Sequence, residues 1–136
     1  SPYSCFNLVG AAQVGKSSLT GMRVLHRLCG QVAIWPFDPL PEKGAVVVEI
    51  YTALAAREAC VRAGRSKLRD GEALDAALAG LGSRQHTPLA RYDDHATDAI
   101  LTAAWLRGAA HRPGLWSPSG MTPAIARTEG WTFGVV

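Results

Sequence analysis

The feature that most constrains the fold is an apolar run at residues 45–51, AVVVEIY, which is the strongest strand signal in the sequence. Val and Ile favour strands because their branched side chains pack well on a pleated surface. Since the run lacks a polar face, we expect a central strand that is buried on both faces. Glu49 lies in this run, and a buried carboxylate is costly unless a cation or hydrogen bonds compensate it. The run therefore predicts both a layered fold and a candidate site.

Strand and helix patterns alternate along the chain. Further strands are expected at residues 6–9, 32–35 and 131–136, and residues 36–41 read as a proline-rich turn. A short helix is expected at residues 123–127. Strands interspersed with helices predict an α/β fold, and the length of 136 residues fits a single domain over residues 1–136.

Capping residues locate the remaining helices. Ser17 or Ser18 would begin the first helix and Gly30 would end it, and a second helix is expected at residues 52–63. Asp70 begins a helix with one apolar stripe, and either Asp93 or Asp94 begins a helix that reaches about residue 107. The apolar stripe contains Leu74, Ala77, Leu78 and Leu81.

The bulk composition excludes several classes of protein. With 136 residues, 48% hydrophobic and only 18% charged, the chain is typical of a globular domain and not of a disordered one. Its net charge of +3 permits an anionic partner but is small for a dedicated nucleic-acid binder. Three cysteines without a CxxC pair indicate neither a disulfide framework nor a zinc site, and no apolar run is long enough for a membrane span. We expect a cytoplasmic protein.

The sequence GAAQVGKS at residues 10–17 has the spacing of a phosphate-binding P-loop. In that interpretation the backbone of Gly10 and Gly15 would approach a nucleotide closely, with Lys16 on its phosphates and Ser17 at the start of a helix. A magnesium-binding aspartate should follow on a later strand, but the nearby candidate, Asp38, lies in the proline-rich turn. The other interpretation is an ordinary strand-to-helix turn.

A cluster of acids follows at the start of the later helix. Asp94 and Asp98 are four residues apart and so share one helix face, and His95 nearly shares a face with Asp98. Together with Glu49 they could form a two-metal site, in which carboxylates from separate elements hold Mg²⁺ or Mn²⁺. Asp93 is more typical of a helix cap, and the acids could also serve only to stabilise the positive end of the helix.

Several strings, taken as an ordered set, resemble an uncharacterised family of predicted RNase H-like nucleases, which is related in fold to ribonuclease H and the Holliday-junction resolvases. The strings are FNLVGAAQVG at 6–15, WPFD at 35–38, VEIY at 48–51, HATDA at 95–99 and EGWTFGV at 129–135. The resemblance implies a mixed central sheet flanked by helices. It also implies Glu49 and Asp98 as catalytic acids, Asp94 or His95 as the companion metal ligand, and no nucleotide role for Lys16.

One element of the family pattern has no counterpart here. The family begins with a strand bearing the first catalytic aspartate, and the acids before Glu49 are Asp38 and Glu42, both in the proline-rich turn. We therefore expect the chain to be the C-terminal portion of a longer protein, lacking the first strands, or else to lack an essential ligand. A noncatalytic RNase H-like binding module is the remaining alternative.

A basic segment joins the two middle helices and could contact nucleic-acid phosphates near the site, which would give affinity without sequence selectivity. The alternative is a solvated helix end with complementary charge. The sequence gives no role to His26 or His86. The segment contains Arg62, Arg65, Lys67 and Arg69.

Overall fold

The structure, a computed structural model, describes residues 14–61 and 68–136, with side chains described from residue 19 onward. The chain divides into two compact units, Ser1–Val48 and Glu49–Val136. The described part is rich in helix and contains a small parallel sheet of two strands, so the coarse α/β prediction is confirmed. Within that part, no helix is both long and apolar enough to cross a membrane.

The described part of the first unit contains one helix and both strands. Helix α1 spans Val14–Leu28, strand β1 spans Ala33–Ile34 and strand β2 spans Val46–Val47. The strands are parallel, with Ala33 opposite Val46 and Ile34 opposite Val47. The predicted strand at residues 32–35 is therefore confirmed, whereas the strand expected at residues 6–9 lies outside the described residues.

Two predictions for the first unit are wrong. Ser17 and Ser18 lie inside α1 and do not cap it, although Gly30, at φ +75°, follows the helix end as expected. The run at 45–51 is not a central strand buried on both faces, because its strand is limited to Val46 and Val47, which are half-buried, and Glu49 adds only an isolated bridge. An apolar run becomes central only if other layers cover it, and those layers are set by distant parts of the chain.

Outside residues 62–67, the second unit contains five helices: α2 Thr52–Glu58, α3 Gly71–Gly80, α4 Asp94–Ala109, α5 Pro113–Trp116 and α6 Pro123–Thr128. Helix α4 packs against both α2 and α3. Its buried residues recur every fourth position, which places them on one stripe facing those helices. The stripe consists of Thr97, Leu101, Trp105 and Ala109.

The predicted helix starts in this unit are confirmed. The Asp70 carboxylate accepts a hydrogen bond from the backbone N–H of Ala73, and the predicted apolar stripe of α3 buries Leu74, Ala77 and Leu78. Helix α2 is shorter than residues 52–63, because it ends at Glu58 and the backbone then turns through a positive φ at Cys60.

The final strand expected at residues 131–136 does not form. Only Thr132 makes a parallel bridge, to Glu49, and the backbone N–H of Phe133 donates to the Glu49 carbonyl at 2.8 Å. Phe133 is fully buried, with its ring centroid 6.0 Å from that of Trp105 and 4.5 Å from that of Trp116. The C-terminal segment is therefore anchored by its bridge to Glu49 and by the buried ring of Phe133, and its backbone changes direction at Gly134, where φ is +96°.

Candidate functional site

The acidic start of α4 is built as the sequence indicates. The Asp93 side chain accepts a hydrogen bond from the backbone N–H of Ala96 at 2.9 Å, so Asp93 is the helix cap. Asp94 and Asp98 are one turn apart at the edge of the buried stripe of α4, and both are half-buried. This turn can therefore present two carboxylates on one side of the helix.

Arg69 lies beside the first of these carboxylates. Its guanidinium Nη2 is 3.6 Å from Asp94 Oδ1, and the two side chains are 65% and 35% exposed. Ion pairs of this length and exposure contribute only about 0–1 kcal/mol, so Arg69 could leave Asp94 for another anion at little cost. Of the predicted basic segment, Arg62, Arg65 and Lys67 lie outside the described residues.

Glu49 is exposed and not buried, which removes the desolvation argument for a compensating cation. What fixes its position is its backbone, through the bridge to Thr132 and the hydrogen bond from Phe133. His95 is also exposed. In the described ranges, no three His, Cys, Asp or Glu residues lie close enough together to hold a metal ion. Glu49, Asp94, His95 and Asp98 therefore stay predicted ligands and are not gathered into a cluster.

The P-loop residues fall at the beginning of α1. Gly15, Lys16 and Ser17 belong to this helix, which starts at Val14, and Gly10 lies outside the described residues. Asp38, the nearby candidate for the magnesium-binding aspartate, is already hydrogen-bonded within its own turn. Its carboxylate accepts a hydrogen bond from the backbone N–H of Ile34 at 2.9 Å and so closes the turn after β1.

A relay of three side chains was missed by sequence reasoning. His86 lies in the irregular connection between α3 and α4, and its side chain is only 6% exposed. Its ring Nδ1 is 2.6 Å from Asp75 Oδ1, and its Nε2 is 2.8 Å from the Tyr92 hydroxyl. No short sequence motif predicts this arrangement, because the path of the loop between α3 and α4 brings the three residues together. The only signal is the presence of a polar residue on α3 and two titratable residues in one loop.

The relay changes the proton affinity of its carboxylate. Hydrogen bonds from the His86 ring and then from the His86 backbone N–H lower the pKa of Asp75 below its ordinary value, although partial burial opposes them. The His86 and Tyr92 rings meet edge to face, with centroids 5.5 Å apart and planes at 87°. Asp75, His86 and Tyr92, called the relay below, form a hydrogen-bonded chain from α3 to the start of α4.

A second polar cluster ties α2 to the end of α4. Both carboxylate oxygens of Glu58 accept hydrogen bonds from Arg112, and one also accepts from the Trp105 indole N–H at 2.8 Å. The Arg112 hydrogen bond lowers the pKa of Glu58, and the same bond raises the pKa of Arg112. Because this carboxylate is already held by three donors, the cluster is suited to fastening the helices together and poorly suited to binding a ligand.

No protein-family model, no curated protein and no solved structure matches the chain.

Proposed function

We propose that the chain belongs to a metal-dependent nuclease of RNase H-like fold, in which Glu49 and Asp98 bind Mg²⁺ or Mn²⁺ and Asp94 or His95 assists. The observation that carries the proposal is the arrangement of the second unit. Asp94 and Asp98 share one side of the first turns of α4, and Glu49 lies just before α2, a helix that packs against α4. The resemblance of the sequence strings to RNase H-like nucleases supports the same residues.

The donor chemistry suits a hard divalent cation. Asp94 and Asp98 offer carboxylate oxygens at a half-buried position, where a bound cation is partly shielded from water. A bound metal would polarise the phosphodiester and lower the pKa of an attacking water. Arg69 adds a cation at the edge of this turn and could hold a phosphate of the substrate, because its present ion pair with Asp94 is long and exposed.

Metal binding is the first test of this function. Mn²⁺ binding followed by electron paramagnetic resonance should be weakened at least tenfold by Asp98→Asn and by Glu49→Gln, because each removes a charged ligand. Glu42→Gln is the matched control, since Glu42 is an exposed acid in the proline-rich turn. If the wild-type chain binds Mn²⁺ no better than a variant that combines Asp98→Asn and Glu49→Gln, the metal site does not exist.

Cleavage is the second test. With Mg²⁺ present, the chain extended by the upstream strand and aspartate expected above should cut single- or double-stranded DNA or RNA, and Glu49→Gln should abolish the cutting while Glu42→Gln leaves it unchanged. Cleavage that persists in Glu49→Gln would assign the activity to other residues or to a contaminant. Circular dichroism of each variant separates loss of a ligand from loss of the fold.

Nucleotide binding at the start of α1 is the second candidate function. The specific observation in its favour is that Gly15, Lys16 and Ser17 occupy the first turns of a helix, where backbone N–H groups favour phosphate. A fluorescent ATP analogue should then bind the wild-type chain at micromolar concentration and lose affinity in Lys16→Ala. Equal binding by both proteins would remove this candidate.

A further inference from the structure

The hydrogen-bond geometry of the relay indicates a specific structural role and not an incidental surface contact. Its histidine is almost fully buried, and Asp75 Oδ1 accepts two hydrogen bonds from it, one from the ring at 2.6 Å and one from the backbone N–H at 3.0 Å. At the other end, the Tyr92 hydroxyl lies 2.8 Å from Nε2 and also accepts from the backbone N–H of Leu89 at 3.4 Å. Asp75 Oδ1, both ring nitrogens of His86 and the Tyr92 hydroxyl are therefore all hydrogen-bonded within the relay.

The network also assigns the hydrogens. A carboxylate accepts and does not donate, so Nδ1 of His86 carries the hydrogen that points to Asp75. In the neutral ring Nε2 must then accept, and the Tyr92 hydroxyl donates to it. With the ring neutral, donation therefore runs from Tyr92 through His86 to Asp75, and each side chain is held in one orientation.

Tyr92 is the end of the relay that matters for the candidate site. It directly precedes Asp93, the cap of α4, and Asp94. Its hydroxyl is also pressed against the beginning of α3, because a Cβ added at Gly71 would lie 2.7 Å from the phenolic oxygen. The relay and this close approach together hold the start of α4 at one place relative to α3.

We infer that Asp75, His86 and Tyr92 are positioning residues that set the first turns of α4, and with them the carboxylates of Asp94 and Asp98. The part of this inference that concerns metal rests on the function proposed above. The relay is not assigned a chemical step, because both ring nitrogens of His86 and the Tyr92 oxygen are already engaged.

The test compares amide hydrogen exchange in the 136-residue chain and in Tyr92→Phe, which removes only the hydroxyl. Losing the two hydrogen bonds of this hydroxyl should speed exchange at Ala96 and Thr97, in the first turns of α4, by about fivefold to tenfold. Exchange in α6 should not change, because the effect is local. Tyr51→Phe is the matched control, since Tyr51 is exposed.

Two further variants distinguish a local effect of the relay from misfolding of the Tyr92→Phe protein. Gly71→Ala leaves all three relay residues in place but drives a methyl group against the Tyr92 hydroxyl, and it should speed exchange at the same amides. Asp75→Asn should abolish the downfield proton resonance of the His86 Nδ1–H, whereas Tyr92→Phe should retain it and shift the ¹⁵N resonance of Nε2. The inference is overturned if the Nε2 resonance does not shift in Tyr92→Phe. It is also overturned if amide exchange in that variant rises equally in α6 and α4, or does not rise at all.

Measurements of Mn²⁺ binding separate this inference from the proposed function. Tyr92→Phe should weaken Mn²⁺ binding about threefold to tenfold, because the carboxylates lose their fixed spacing. If the wild-type chain does not bind Mn²⁺, the proposed function fails, whereas the exchange data still decide whether the relay sets the turn. If Mn²⁺ binds and Tyr92→Phe binds it equally well while exchange rises, the carboxylates do not depend on the relay and the inference about them is wrong.

Discussion

Replacing Phe133 by Ala should be among the most damaging single changes in the second unit. The side chain is 0% exposed and contacts the rings of Trp105 and Trp116, so its removal loses apolar burial and leaves a cavity. Buried Phe→Ala changes cost about 3–5 kcal/mol, of which the two ring pairs would account for about 1–3 kcal/mol. Since whole domains are stable by only about 5–15 kcal/mol, the variant would lose a large share of its stability.

Urea unfolding measures this loss directly, with tryptophan fluorescence as the signal because Trp105 and Trp116 flank the ring. Phe37→Ala is the matched control. It makes the same chemical change at a side chain that is 53% exposed, and it should cost no more than about 0.5 kcal/mol. Equal losses in the two variants, or a loss below about 1 kcal/mol in Phe133→Ala, would refute the packing argument.

Three further changes have defined outcomes. Gly134→Ala should lower the melting temperature, since its Cβ would lie 2.6 Å from an indole carbon of Trp105 at a φ of +96°. Gly108→Ala should raise it, because Gly108 lies in the last turn of α4 and a Cβ there would have no atom within 4 Å; calorimetry that ranks the two variants the other way contradicts the geometry. Asp93→Ala should cost about 1 kcal/mol in urea unfolding, and no loss would mean that the cap is unimportant. Because the pKa of Asp75 is lowered in the fold, its pairing with His86 stabilises the protein above the ordinary carboxyl pKa, and this stabilisation is lost as the pH falls below about 4. Asp75→Asn should therefore flatten the acid side of the plot of unfolding free energy against pH. An unchanged plot would show that the pair is not linked to folding.

The helix starts could be predicted from the sequence because capping is local. Asp70 and Asp93 each hydrogen-bond a backbone N–H three residues further along, and this geometry needs only a short polar side chain before a helical run. The same reasoning failed at Ser17 and Ser18, because the helical run begins before them at Val14. A cap residue marks a helix start only where no earlier turn can form.

Burial could not be predicted in the same way. The run at residues 45–51 has the composition of a central strand, yet its strand is only two residues long and Glu49, which makes an isolated bridge, is exposed. Whether a strand is covered depends on which elements pack on it, and the sequence of the strand alone does not contain that information. The candidate carboxylates of α4 were found because they share a helix face, whereas Glu49 was chosen for a burial that it does not have.

The relay was out of reach of sequence reasoning for a related reason. His86 and Asp75 belong to different elements, and the loop that brings them together has no periodic pattern. Helical spacing connects residues three or four positions apart, but it gives no information on a contact made across a loop.

The bridge between Glu49 and Thr132 has a consequence for how the protein is made. These residues lie at opposite ends of the second unit, so the contact closes a long loop, and the entropy cost of closure delays such contacts relative to local helices. During synthesis Glu49 leaves the ribosome well before Thr132 and Phe133 exist. A ribosome-bound chain that stops short of Thr132 should therefore contain α3 and α4 but leave the backbone of Glu49 unanchored, so the candidate site would be the last part of the unit to form.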